Sequence, residues 1–108
     1  MPQPISTHEL AAKLAAGEPV YLLDVRLPAE HGVAALADAV LIPLHELPRR
    51  WQEVRPPPDA AIVAYCHLGV RSWAAAAWLE AAGFDNVLSL TGGIDAWACD
   101  IEPTMARY

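Results

Sequence analysis

The sequence predicts an α/β fold in which a parallel sheet carries helices on both faces. Short apolar runs alternate along the chain with segments of helical spacing, and this alternation is typical of parallel strands joined by right-handed crossovers. Hydrophobic residues make up 55% of the chain and charged residues 19%, which excludes a disordered chain because disorder requires low hydrophobicity and high charge. The length of 108 residues suits one domain, so we expect residues 1–108 to form a single domain.

Five apolar runs are the predicted strands. They contain few polar residues, as expected of strands that are buried on both faces of a sheet. The predicted strands are a very short one at Ile5 and residues 20–25, 40–42, 60–65 and 87–90.

Helices are predicted between these strands. Ser6 and Glu9 have the spacing of a capping box at the start of the first helix, and Gly17 ends it. Pro28 suits the first turn of the second helix, whereas Pro48 lies inside the third and weakens it. The second to fifth predicted helices are residues 28–36, 44–54, 71–82 and 94–98.

Charge and hydropathy exclude several classes of partner. Seven Lys and Arg stand against thirteen Asp and Glu, so the net charge is −6. Without a basic stripe, nucleic acid and anionic membranes are poor partners. The longest apolar runs, 60–66 and 73–79, have seven residues each, whereas a membrane helix needs ~20. The first four residues form neither a basic start nor an apolar signal segment, so we expect a soluble, cytoplasmic protein.

The two cysteines, Cys66 and Cys99, are too few for a disulfide framework or a four-thiolate zinc site. The histidines His8, His31 and His45 show no metal-ligand spacing, and we expect neither a metal nor a cofactor. Cys99, near the end of the last predicted helix, is interpreted either as structural or as a resolving thiol.

Cys66 is the candidate nucleophile because it follows a predicted buried strand, and parallel α/β sheets bind ligands at the carboxyl ends of their strands. Gly69 permits a tight bend that turns backbone N–H groups toward the sulfur. The next helix begins at about Arg71, so its positive end and the Arg71 charge act at the same place. All three effects favour the thiolate, which is the nucleophilic form. The alternative is that Cys66 is a small buried hydrophobe.

Three segments together resemble a single-domain rhodanese. They are the loop 66–72 (Cys-His-Leu-Gly-Val-Arg-Ser), the upstream Asp-Val-Arg at 24–26 and the downstream Thr-Gly-Gly-Ile-Asp-Ala-Trp at 91–97. The resemblance implies a three-layer α/β/α fold around a roughly five-stranded parallel sheet. It also implies that Cys66 carries a sulfane sulfur as a persulfide, held by loop N–H groups. Residues 34–39 depart from the family, because they read Ala-Ala-Leu-Ala-Asp-Ala where Gly-His-Ile-x-Gly-Ala is frequent.

The resemblance also implies a double displacement with a covalent intermediate. The Cys66 thiolate attacks the outer sulfur of a donor such as thiosulfate, sulfite leaves, and an acceptor thiol or cyanide then takes the sulfur. A sulfur-relay protein is a further candidate partner.

Arg71 holds the donor's sulfonate oxygens or, alternatively, pairs with a carboxylate at the sheet end. His67 binds an anion or simply faces solvent, and Asp24 with Arg26 braces the loop or forms a structural ion pair.

The predicted site therefore has one nucleophile, a substrate-binding loop and two supporting residues. Trp73, just beyond the loop, either forms an apolar rim for a partner or packs within its helix. The predicted residues are catalytic Cys66, substrate-binding His67, Leu68, Gly69, Val70, Arg71 and Ser72, and supporting Asp24 and Arg26.

Two other functions are compatible with the same fold. A small phosphatase or arsenate reductase must enclose a tetrahedral oxyanion and places one residue more between Cys and Arg than the four found here. A non-catalytic interaction module of this family commonly lacks the cysteine, which is present at position 66. Loop length and the cysteine thus favour a sulfurtransferase.

Overall fold

The computed structural model describes residues 2–108, and within them five strands form one parallel sheet in the order β1-β5-β4-β2-β3. Every neighbouring pair is parallel, which confirms the predicted α/β class. The two edge strands are short, as suits edges that must not pair with other chains. The strands are β1 Gln3–Ile5, β2 Val20–Asp24, β3 Val40–Leu41, β4 Ala61–Tyr65 and β5 Val87–Leu90.

The helices cover both faces of this sheet. Across residues 2–108, no helix is long and apolar enough to cross a membrane. The capping box predicted for the first helix is confirmed, because the Glu9 amide donates to Ser6 Oγ and the Ser6 amide donates to the Glu9 carboxylate. The helices are α1 Thr7–Ala15, α2 Pro28–Val33, α3 Leu47–Arg50, α4 Val70–Ala81 and α5 Gly93–Asp100.

Two predicted helices differ from the structure. The segment predicted as a helix over 44–54 is a four-residue α3 between 3₁₀ turns at Leu44–Glu46 and Trp51–Glu53. Pro48 lies in the first turn of α3, where its missing N–H is tolerated. The predicted 28–36 helix ends at Val33, because Ala34 is extended.

The core has two halves, one on each side of the sheet. Alternate residues of a strand point to opposite faces, so Ile62 and Ala64 of β4 pack with Leu79 of α4, whereas Val63 packs with Trp97 of α5 on the other side. Cys66 belongs to the first half. The central strand β4 is buried along its whole length. This burial fixes the position of its last residue, after which the loop begins.

The departure from the family pattern at 34–39 coincides with an unusual backbone. Asp38 has φ +64°, a left-handed conformation that glycine adopts most readily. The frequent family sequence has Gly at this position, and Asp is one of the few other residues that tolerate the conformation. Leu36 remains buried, so the segment keeps its apolar anchor before β3.

Candidate active site

The site lies between the carboxyl end of β4 and the amino end of α4. Strand β4 ends at Tyr65 and α4 begins at Val70, with Gly69 as its N-cap at φ +111°. Cys66, the first residue after the strand, is only 1% exposed. The glycine is needed because this φ is rarely open to other residues. The sequence prediction of a tight, glycine-dependent loop after a buried strand is confirmed.

Two backbone amides point at the Cys66 sulfur. The Gly69 amide lies 3.1 Å and the Ser72 amide 3.4 Å from Sγ, and the thiol donates to Ser72 Oγ at 3.6 Å. We call these three groups the thiol cradle. They belong to the first turn of α4, a 12-residue helix whose positive end faces the sulfur. The arrangement favours negative charge on Sγ, since charged acceptors gain most from such N–H groups.

A second hydroxyl supports the cradle from β5. Ser72 and Ser89 are both buried, and their hydroxyl oxygens are 2.8 Å apart. The Gly69 carbonyl oxygen, 3.2 Å from Ser72 Oγ, is a further acceptor within reach of the Ser72 proton. Sequence reasoning did not select Ser89, although a single hydroxyl in an otherwise apolar strand is a usable signal.

A turn at Gly92-Gly93 supports the loop on its carbonyl side. Both glycines have positive φ, and a Cβ at Gly93 would collide with the carbonyl oxygens of Cys66 and His67. The amides at the start of α5 take up these two carbonyls, because Ile94 N donates to Cys66 O at 2.9 Å and Asp95 N to His67 O at 3.1 Å. With its carbonyls engaged by α5, the loop presents its amides to the sulfur.

Arg71 is held by a carboxylate of α2. Its Nη1 and Nη2 lie 2.7 and 2.9 Å from the two carboxylate oxygens of Glu30. These hydrogen bonds lower the pKa of Glu30 to about 2, against the opposing effect of burial. The partner is thus a helix residue and not the sheet-end carboxylate considered from the sequence. Donor binding by Arg71 stays a prediction.

Asp24 and Arg26 form a buried ion pair at the end of β2. Arg26 Nη2 and Nε lie 2.6 and 2.9 Å from the two Asp24 oxygens. Tyr65 donates its hydroxyl to Asp24, and His31 Nδ1 lies 2.8 Å from the same oxygen. Burial alone would raise the pKa of Asp24, but the hydrogen bonds from Arg26 and His31 outweigh it and lower the pKa. This geometry favours the structural ion pair, and a bracing role of the pair stays a prediction.

Tyr108 links these charges to the loop. Its hydroxyl donates to Glu30 Oε2 at 2.8 Å and accepts from Arg26 Nη1 at 3.0 Å. Its ring stacks on His67 with 4.1 Å between centroids. The imidazole of His67 is therefore covered on one face by a tyrosine. Neither Glu30 nor Tyr108 was selected from the sequence.

An apolar pocket of about 460 Å³ lies beside the loop. Trp73 is 38% exposed and lines it, in agreement with the rim interpretation. Leu68 and Val70 are 60% and 80% exposed. The pocket residues are Leu68, Gly69, Val70, Trp73, Ser89, Thr91 and Gly92.

The second cysteine, Cys99, lies outside the site described above. Cys99 is a free, exposed thiol on α5. Within residues 2–108, no group of three or more His, Cys, Asp or Glu is arranged to hold a metal ion.

The fold agrees with that of known proteins. The profile of the Rhodanese-like domain family matches residues 6–100. A sulfurtransferase from Allochromatium vinosum is 43% identical over 94 residues, which span 87% of this chain and 86% of that protein. The probable adenylyltransferase/sulfurtransferase MoeZ from Mycobacterium tuberculosis is 38% identical over 104 residues, which span 96% of this chain and 26% of that protein. A rhodanese-related protein from Thermoplasma volcanium superposes with a TM-score of 0.81 at 30% identity, covering 94% of this chain and 95% of that one.

The chain belongs to the rhodanese-like family. The α/β fold with its five-stranded parallel sheet is that of the family. The sulfurtransferase relatives support a transferase, with sulfur transfer as the general reaction. That residues 1–108 form a single domain of this kind stays a prediction.

Proposed function

We propose that this chain transfers a sulfane sulfur from a donor such as thiosulfate to a thiol or cyanide acceptor through a persulfide on Cys66. The observation that carries the proposal is the thiol cradle, in which two amides lie 3.1 and 3.4 Å from Sγ. Backbone donors fixed at a helix amino end stabilise a sulfur anion before and after it receives a second sulfur atom.

The first half-reaction loads the enzyme. The Cys66 thiolate attacks the outer sulfur of thiosulfate and forms a new S–S bond. The bond between that sulfur and the sulfonate sulfur breaks, and sulfite leaves with the electron pair. The charge of −3 on the reactants is conserved, because a persulfide anion and a sulfite dianion result. The cradle then holds a sulfur anion with the same backbone donors.

The second half-reaction releases the sulfur. Cyanide or an acceptor thiolate attacks the outer sulfur of the persulfide, and the bond to Cys66 Sγ breaks. Thiocyanate or an acceptor persulfide leaves, and Cys66 returns as a thiolate. No general acid is required, since the leaving group is the thiolate that the cradle already favours.

The loop residues divide these tasks among them. Gly69 and Ser72 stabilise the charged sulfur, and Arg71 is the cation of the loop for an anionic donor, with its charge offset by Glu30. Leu68 and Val70, exposed at 60% and 80%, give the loop an apolar margin suited to a protein acceptor. The similarity to the probable adenylyltransferase/sulfurtransferase MoeZ supports a sulfur-relay protein as such a partner.

Intact mass measurement tests the proposal directly. After incubation with thiosulfate, the wild-type protein is expected to gain one sulfur atom, which cyanide then removes. Cys66→Ser is expected to gain none, whereas Cys99→Ser, altered at an exposed position outside the site, is expected to load normally. Loading of Cys66→Ser would contradict the mechanism.

Turnover of an aryl phosphate separates the phosphatase alternative. A phosphoryl group presents three oxygens to the donors at its transition state. A loop with four residues between Cys66 and Arg71 encloses little space for these oxygens. We expect negligible phosphate hydrolysis by the wild type. Aryl phosphate turnover above thiosulfate turnover under matched conditions would put the phosphatase first.

A further inference from the structure

The ion pair between Arg71 and Glu30 determines how much positive charge the loop offers to a donor. Both Nη atoms of the guanidinium are engaged, at 2.7 and 2.9 Å, in the parallel two-bond geometry that is strongest for Arg and carboxylate. Glu30 is also fixed by other partners, since its carboxylate accepts from the Leu27 amide and the Tyr108 hydroxyl. Movement away from Arg71 would therefore break several hydrogen bonds at once.

Glu30 stays ionised under all ordinary conditions. The hydrogen bonds from Arg71 lower its pKa to about 2, so the carboxylate is negative at neutral pH and cancels the charge of Arg71. Its side chain is 18% exposed and that of Arg71 is 35% exposed. Solvent therefore screens the pair only in part.

The pocket beside the loop adds no charge of its own. Every residue that lines it has a neutral side chain, and the walls are mainly apolar. A dianion that approaches the sulfur thus meets a neutral ion pair and apolar walls, and Glu30 already occupies the two-bond edge of the guanidinium. A donor without a sulfonate group does not compete with Glu30 for Arg71.

We propose that Glu30 is a specificity-determining residue that disfavours thiosulfate and favours a persulfide donor, R–S–SH, whose R group is uncharged. The inference rests on the proposed sulfur transfer. The Cys66 thiolate attacks the outer sulfur of R–S–SH, the bond between the two donor sulfurs breaks, and R–S⁻ leaves. Cys66 then holds the persulfide and the single negative charge has passed to the leaving thiolate, so atoms and charge balance without a further reactant.

The test compares two donors in wild type and Glu30→Gln, with cyanide as the common acceptor. Glutamine preserves the size of the side chain and the capping position at the start of α2, but it removes the charge. We expect the KM for thiosulfate to fall about ten-fold with kcat little changed. The KM for an uncharged alkyl persulfide is expected to change by less than about two-fold. A purely structural role of Glu30 would instead shift both donors alike.

Two further variants serve as controls. Glu53 forms a matching two-bond pair with Arg50 on the surface, so Glu53→Gln makes the same change in net charge away from the site and is expected to leave both KM values unchanged. In an Arg71→Ala background, Glu30→Gln is expected to bring no gain for thiosulfate, because no guanidinium remains to be released.

The outcomes separate this inference from the proposed function. If intact mass shows no sulfur on wild-type Cys66 from either donor, the proposed function itself fails. If sulfur loads but Glu30→Gln changes both donors equally, or changes neither, only the role of Glu30 is overturned. A thiosulfate gain that persists without Arg71 would also overturn it.

Discussion

A thiol that is almost fully buried keeps its reactivity only when its neighbours replace the water it has lost. Around Cys66 the replacement comes from two amides and one hydroxyl of the first turn of α4. The Ser72 hydroxyl has one proton and three neighbouring acceptors: Sγ, the Gly69 carbonyl and Ser89 Oγ. The direction of the bond to Ser89 therefore decides whether that proton is available to the sulfur.

Counting donors assigns the direction of this bond. If Ser89 donates to Ser72, the Ser72 proton is free for the thiolate, and the Gly69 carbonyl keeps its bond from the Trp73 amide at 3.4 Å. If Ser72 donates instead, the thiolate loses a donor and the Ser89 proton has no acceptor among residues 2–108. The first arrangement satisfies more groups, and buried polar groups are nearly always satisfied.

Ser89→Ala is expected to slow the alkylation of Cys66 by iodoacetamide at pH 7 about five-fold, and sulfur transfer by a similar factor. Without Ser89 the Ser72 hydroxyl loses its fixed orientation, and a hydrogen bond to a charged group is among the stronger ones. Ser89→Thr keeps the hydroxyl and is expected to restore most of the rate.

Thr7→Val is the matched control for this variant. Thr7 is buried and donates its hydroxyl to Asp100 at 2.8 Å, so the substitution removes a buried hydroxyl bond away from the loop. Alkylation of Cys66 should be unaffected. Equal slowing in Thr7→Val and Ser89→Ala would show that the loss is one of general stability.

At the scale of elements, α5 shapes the loop as much as α4 does. Helix α4 supplies the donors, whereas α5 engages the loop carbonyls through Ile94 N and Asp95 N. This contact needs Gly93, since any Cβ there would occupy the space of the two carbonyl oxygens. Gly93 therefore acts on the thiol through the backbone of a different segment.

Gly93→Ala is expected to lower the free energy of unfolding by about 3 kcal/mol and to abolish most sulfur transfer. A left-handed backbone costs alanine ~1–2 kcal/mol, and the collision with loop carbonyls adds a packing cost of similar size. Urea unfolding at equilibrium measures the first effect and thiosulfate turnover the second.

Gly17→Ala distinguishes backbone strain from the collision with the loop carbonyls as the cause of the stability loss. Gly17 also has positive φ, at +72°, but a Cβ there meets no atom within 4 Å. Its alanine variant should lose only the ~1–2 kcal/mol of backbone strain and keep its activity. Equal stability losses at positions 17 and 93 would contradict the proposed role of the close approach.

Most elements and the loop around Cys66 were predictable from the sequence, but the pairing of distant charges was not. Apolar runs and caps are local signals, so β5 and the cradle at Cys66 followed from neighbours in the chain. Glu30 lies 41 positions from Arg71, and their contact depends on where α2 packs. Tyr108 is further still from Arg26, and a lone tyrosine has no local signal. The helix predicted over 44–54 was too long because the 3₁₀ turns on either side of α3 share the apolar spacing of a helix.

At the scale of the molecule, one network of charges joins three elements to the chain's last residue. It runs from Asp24 through Arg26 and Tyr108 to Glu30 and Arg71. Such a network ties β2, α2 and α4 together beside the site. Its contribution to stability depends on pH, because its carboxylates have lower pKa values than in an unfolded chain.

Lowering the pH from 4.5 toward 2 is therefore expected to lower the free energy of unfolding. The pKa of Glu30 is about 2 in the folded protein and 4.5 as the ordinary value, so its stabilising effect is present above pH 4.5 and is lost as the pH falls toward 2. We expect a loss on the order of 1 kcal/mol from this residue, after allowance for solvent screening.

Urea unfolding between pH 2 and 6 measures this loss. Glu30→Gln should be less stable than wild type at pH 6 and should approach it near pH 2, since the glutamine cannot be protonated. Parallel stability curves for the two proteins would show that Glu30 contributes nothing to the acid sensitivity.

The strand order also bears on how the chain folds. Gln3 of β1 pairs with Leu88 of β5, so this edge closes a loop of some 85 positions, and closure entropy grows with loop length. The segment from β4 through α4 and β5 to α5 is continuous, running from Ala61 to Asp100, and its contacts are local by comparison. Contacts of short sequence separation form fastest. We therefore expect the thiol cradle to assemble before the first strand docks, so that the Cys66 sulfur is enclosed early in folding.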